Sequence, residues 1–389
     1  MSPVPATTGS LRTRIEDMQI GDYIVCNYQA SSGAAGTFSN LGGTAGTEIP
    51  VTGSATPNGT FYFVKVDKGL LIADKVVQHS ISWDALNSGR LIQGKSHLLL
   101  SSSIDAVPAM FSNNAPIGVV RSDSIWTSST DAWNAFSDFV VFNGQYTESG
   151  WMSGKATSSI ISGDVCWISY EFPEPKAIKG ITLIQLGWNA VYYRCKDFSV
   201  QYSQDGQAWQ TAFSGIALPN YNKQLFVFDP VGTYKYWRFV IYSHCHPGQS
   251  LALGISQLEF LEEIPEQLPE WTYVKFRTMT GGVAYADVNG NSSTTDQGTG
   301  KAFPSNSEFD KYIIGFDLTK IQAGKTLFDV FHHDVVKTWT QDTPIISIAA
   351  ATNRVTRGGT TGTNNFSYLT STTTDATVGF RPVFEFMEE

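Results

Sequence analysis

Helical periodicity is scarce in this chain, and that scarcity narrows its possible folds more than any other feature. Runs of five to nine residues recur instead, β-branched and aromatic or strictly alternating, with turn residues between them. In Lys196-Asp197-Phe198-Ser199-Val200-Gln201-Tyr202, the apolar residues face one way and the polar ones the other. That period of two marks a strand with one buried face, and Asp205-Gly206 just beyond it is a tight-turn signal. Similar strands are expected at 23–28, 60–66, 69–73, 166–172, 178–186, 224–228, 234–242, 256–261, 271–278, 311–317, 343–351 and 378–386. Only Ser82–Ser88, Asp131–Phe136 and Leu318–Ala323 read as short helices. The chain is therefore all-β, built from sandwiches or barrels rather than βαβ units.

Composition removes several function classes. Charged residues make up 16% and aromatics 13%, so a disordered acidic chain and a coiled coil are both excluded. A formal net charge of −9 argues against nucleic-acid binding, which needs a basic face to meet phosphates. No run reaches the roughly 18–20 apolar residues of a membrane-spanning helix. Met1-Ser2-Pro3-Val4-Pro5 does not read as a signal peptide, so none is expected. The four cysteines, Cys26, Cys166, Cys195 and Cys245, are too few for a disulfide scaffold, and Cys166, Cys195 and Cys245 read as small buried hydrophobes.

Two shifts in composition suggest boundaries. Leu261–Glu270 is acidic and punctuated by Pro265 and Pro269, and the pattern loosens into Ser/Asn/Pro-rich sequence from Ser101 to Ser129. These divide the chain into β-rich segments at 1–120, 121–263 and 264–389.

The middle segment carries a set of ordered motifs: Ala132-Trp133-Asn134-Ala135-Phe136, Gly150-Trp151, Trp167-Ile168, Lys196-Asp197-Phe198, Tyr202–Trp209, Tyr236-Trp237-Arg238-Phe239 and Leu258-Glu259. In this order they resemble the discoidin family, the coagulation factor V/VIII C-terminal type among the galactose-binding-like modules. The resemblance covers about 130 residues and implies a central eight-stranded antiparallel jelly-roll sandwich. It also implies a binding module, mostly for sugars, with the ligand held by loops at one end. The matching loops are 187–194, 219–222 and 244–249, which makes Trp188, Tyr192, Arg194, Tyr221, His244 and His246 the expected carbohydrate contacts. The family's short calcium loop is interrupted here by 137–144; if a structural calcium is kept, Asp138 and Glu259 are its expected ligands.

Catalytic motifs are missing: the sequence has no Gly-x-Ser-x-Gly elbow, phosphate loop or His-Glu-x-x-His helix, and no enzyme is expected. His332-His333 reads as a surface or interface pair, and Glu308, Asp310 and Asp317 as ordinary strand-end carboxylates. The flanks, including 20–24, 36–42, 61–74, 281–287, 307–313 and 379–386, resemble tail-fibre and baseplate appendage proteins of phages and phage-derived particles. That resemblance implies a place on a virion tail or phage-tail-like particle, homotrimers, other tail proteins as partners, and host-cell-wall polysaccharide as target.

Overall fold

The computed structural model describes residues 4–99, 105–141, 147, 149–154, 166–187, 194–245, 253–264, 272–359 and 366–388. They form two compact units, Met1–Lys95 with Val274–Glu389, and Ser96–Tyr273. The expected division into separate domains at 1–120 and 264–389 is thus corrected, because the two ends of the chain build one unit. Val383–Phe386 is the joining strand. On one side it pairs antiparallel with Leu70–Ala73, placing Phe384 opposite Leu71. On the other it pairs with Thr272–Arg277 through Val274 to Arg277, placing Phe384 opposite Phe276. A second sheet repeats the arrangement, with Gly379 opposite His79. Phe38 stacks on Phe276 at 4.0 Å between ring centroids, so residues from both ends of the sequence share one apolar interior.

Two expected strands in this unit take other forms. Residues 311–317 lie largely in a π-helical turn, Phe309–Ile314, which buries Phe309 and Ile313. Short apolar runs cannot separate strand from helix by periodicity, and here the four-residue spacing prevails. Residues 343–351 form turns. The helix at Trp83–Ser88 appears as expected, with the Ser82 side chain accepting from the Ala85 amide.

The unit of residues 96–273 contains a sandwich of two antiparallel sheets. Its strands, among the described residues, are β1 (Val119–Ser122), β2 (Trp151–Met152), β3 (Cys166–Lys176), β4 (Gly180–Gln185), β5 (Asp197–Ser203), β6 (Gln210–Ile216), β7 (Gln224–Val227), β8 (Tyr234–Ile241) and β9 (Gly254–Leu261). One sheet runs β6-β5-β8-β3-β1 and the other β2-β9-β4-β7. Alternation sets the core: Phe198 and Val200 of β5, Trp237, Phe239 and Ile241 of β8, and Leu258 and Phe260 of β9 are all buried. Complete burial of each such side chain contributes about 1.5–3 kcal/mol. The Asp205-Gly206 turn is present, with Gly206 at φ +71°, a conformation that costs glycine little. Trp209 stacks on the Arg238 guanidinium at 4.1 Å.

Candidate functional site

Three chain segments converge at one end of the sandwich. Cys195 bridges His244, the Cys245 amide donates to the Arg194 carbonyl at 3.0 Å, and the Ala217 amide donates to the Lys196 carbonyl at 2.8 Å. Beside them opens a hollow of about 410 Å³, lined by Lys196, Asp197, Ile216, Ala217, Leu218, Pro219, Ser243, His244 and Cys245. Ile216 and Leu218 are 63% and 58% exposed, a high value for adjoining large aliphatic residues. Apolar surface is thus presented to solvent next to amine, carboxylate, hydroxyl and imidazole groups.

Two glutamines hold this edge, and sequence reasoning missed both. Gln185 is fully buried; its Nε2 donates to the carbonyls of Cys195 (2.9 Å) and Leu218 (3.2 Å), and its Oε1 accepts from the Cys195 amide (2.9 Å). The Gln224 side chain bonds both backbone groups of Leu218, accepting from the amide at 2.6 Å and donating to the carbonyl at 2.9 Å. Each acts as a substitute strand partner for backbone that has left the ladder. The available signal was a polar residue closing the apolar run Ile181-Thr182-Leu183-Ile184.

Of the expected sugar contacts, Trp188, Tyr192 and His246 lie outside the described residues. His244 lines the hollow. Arg194 requires a correction, because it is only 4% exposed and points into the protein. Its Nη1 donates to the Pro219 carbonyl, and its guanidinium lies 3.9 Å from the Tyr221 ring centroid. Arg194 and Tyr221 therefore fasten the 218–222 loop to the strand that follows Arg194, and the guanidinium's fork shape serves the fold.

The expected metal ligands do come together. One carboxylate oxygen each of Asp138, Glu259 and Asp105 lies within 4.8 Å of the others. Asp138 Oδ1 accepts from Gln257 Nε2 at 2.8 Å, and Asp105 Oδ1 accepts from the amides of Val107 and Phe260 at 3.0 Å each. Desolvation, then the nearby Glu259 charge, raises the Asp138 carboxyl to about 8, and the same causes push Asp105 well above the usual carboxylate range. Asp105 was not foreseen, since it stands in the loosely patterned stretch after Ser101.

Other residues weighed for chemistry belong to the fold. His332 and His333 are buried, which overturns the expected surface or interface role; His332 ends the helix Leu327–Phe331 in a left-handed conformation. Glu308 makes a two-pronged pair with Arg277 at 2.6 and 2.7 Å. Asp310 does the same with buried Arg357 at 2.7 and 3.0 Å. Asp317 caps Thr319. Cys166 and Cys195 are buried, as small hydrophobes would be, Cys245 is half-buried, and Cys26 is buried too.

Comparison with known proteins assigns residues 124–254 to the F5/8 type C domain. Similar solved structures include chitosan-binding module 1 of a chitosanase/glucanase from Paenibacillus sp. IK-5, at 18% identity over 38% of this chain and 98% of that one, with a TM-score of 0.28. A family 32 carbohydrate-binding module from Clostridium perfringens, solved with galactose, is 12% identical over 37% of this chain and 92% of its own, with a TM-score of 0.28. A further module from a family 31 glycoside hydrolase of that organism is 14% identical over 40% and 100%, with a TM-score of 0.30. No curated protein matches the chain.

Proposed function

We propose that the F5/8 type C domain at residues 124–254 binds saccharide in the hollow beside His244, and that the chain is a receptor-binding or tail-appendage protein of a phage or phage-tail-like particle. In this reading it attaches to host cell-surface polysaccharide without turning it over. The observation that carries the binding reading is the solvent-open hollow itself. A pyranose has an apolar face and a belt of hydroxyls, and the hollow offers Ile216 and Leu218 to the first and Lys196, Asp197, Ser243 and His244 to the second. The tail role rests on the resemblance of the flanking segments, and on a low-charge, Ser/Thr/Asn/Gly-rich surface suited to subunit packing. Assembly as homotrimers beside other tail proteins would raise weak single-site affinity through effective concentration.

The test is binding of the full chain to an array of cell-wall and capsular polysaccharides. Saturable binding is expected, weakened about 10-fold or more by His244→Ala or Ile216→Asp, as loss of a central contact does. Equal binding by both variants would reject the hollow as the site. Release of reducing ends from the bound glycan would replace binding with an enzymatic reading, and sedimentation of the purified protein checks for trimers.

A further inference from the structure

Three carboxylates brought within 4.8 Å of one another cannot all stay charged without a cation among them. A divalent ion such as calcium is the expected answer, and the donor set can be tested against it. Calcium takes six to eight oxygen ligands at about 2.3–2.6 Å. Here the Glu259 carboxylate already meets a cation. The Lys223 ammonium stands 2.6 Å from Glu259 Oε2, with only 2% of the lysine side chain exposed and none of the glutamate's. The Thr182 hydroxyl donates to that same oxygen. The group that reaches Asp138 is the amide nitrogen of Gln257, a donor and so not a ligand for calcium. The set does not fit calcium: the two oxygens of one carboxylate are immediate neighbours, so an ion on either of them, the unpartnered Oε1 included, would lie against the ammonium already held at Oε2.

We propose that Lys223 is the resident cation of this cluster, so that the unit needs no divalent ion at Asp105, Asp138 and Glu259. The ammonium meets the carboxylate through Oε2, and Glu259 Oε1 is left buried without a hydrogen-bond partner. Its position in the chain gives the ion pair a second consequence. Lys223 follows directly on the 218–222 loop, which carries Pro219 and Tyr221, and Glu259 lies in the centre of β9. The pair therefore ties the rim of the hollow to the interior of the sandwich, a task that a metal would otherwise perform. Lys223 is in this sense a positioning residue, and the proposal stands whether or not the hollow binds sugar.

The full chain, stripped with EDTA, is melted with and without millimolar calcium while tryptophan fluorescence is followed, and calcium is titrated in by calorimetry. The expected result is no saturable heat and no change in the melt that depends on Asp138. A resident site filled to 100 times its dissociation constant would raise the melting temperature by several degrees. A calcium-dependent rise that disappears in Asp138→Asn would overturn the proposal; one that persists in that variant belongs to another site and leaves the proposal supported. Lys223→Met supplies the reciprocal test. It should be less stable than the parent in EDTA and should regain stability with calcium, whereas Lys223→Arg should stay insensitive to the ion. A Lys223→Met protein as stable as the parent in EDTA and indifferent to calcium would show that the ammonium is not the balancing charge.

Discussion

Arg194→Ala distinguishes a residue that shapes a binding site from one that touches ligand. The guanidinium makes one charge-assisted hydrogen bond, to the Pro219 carbonyl, and one stacking contact at 3.9 Å, to Tyr221. A hydrogen bond from a charged group is worth about 1.5–3 kcal/mol, and a cation over an aromatic ring about 0.5–2 kcal/mol. Their loss should weaken the local stability of the 218–222 loop by about 2–5 kcal/mol. At roughly 1.4 kcal/mol per tenfold change, that speeds amide exchange there by about 30- to 4,000-fold. Hydrogen exchange read peptide by peptide is the assay, with glycan affinity measured on the same samples. Arg194→Lys should recover little, since an ammonium lacks the planar fork that stacks and donates together. Faster exchange with weaker glycan binding is the expected pair of results. Unchanged exchange at 218–222 with binding lost would refute the reasoning, for Arg194 would then be acting on the ligand itself.

Gln185→Leu keeps bulk but removes three hydrogen bonds, leaving the buried backbone of Cys195 without its partner; a destabilisation of about 2–3 kcal/mol in urea melts is expected. Arg357→Met strands Asp310 and should cost about 3–5 kcal/mol, while Arg357→Met with Asp310→Leu should recover most of it; a double variant as unstable as the single would refute the pairing. Burial holds His332 down at about 4 and His333 at about 3, both below the ordinary histidine value of 6.5. Below pH 6.5 the unfolded chain accepts protons that the folded unit refuses, so stability should be intact above that pH and fall progressively as the pH drops towards 4. The loss is at most about 1.4 kcal/mol per histidine for each pH unit below 6.5. Melts at pH 7.5, 6 and 5 of the parent and of His332→Gln/His333→Gln check this, and an equally steep fall in the variant would place the cause elsewhere.

The strands of the middle unit were legible from their apolar positions: Phe198, Val200 and Tyr202 recur every second residue and all are buried, although Ser199 between them is buried as well. Pairing between distant strands leaves no such local mark. Nothing in Val383–Phe386 specifies Leu70–Ala73 as its neighbour, because period-two alternation tells which face is buried and not which strand lies alongside. The joining of the two chain ends was invisible for that reason. The metal reading fared differently. Asp138 and Glu259 were paired by the calcium site that the resemblance implied, but the charge proposed to answer them is that of Lys223, whose place in the sequence suggests only a loop lysine.

The same distinction separates the residue types at the rim from their use. Aromatic and cationic residues in a loop give the chemistry that a site could employ, and burial decides whether the ligand or the protein employs it. Arg194 and Lys223 both answer to the protein: one grips a carbonyl and a ring, the other a carboxylate, and both restrain the 218–222 loop from opposite sides of its sequence. What this restraint leaves facing solvent is plain aliphatic surface, Ile216 and Leu218, beside His244. An exposed Leu218 backed by two glutamines and flanked by two buried cations is held in place at considerable cost in polar burial. These bonds hold the Leu218 backbone, and with it the apolar floor that the proposed saccharide site would use.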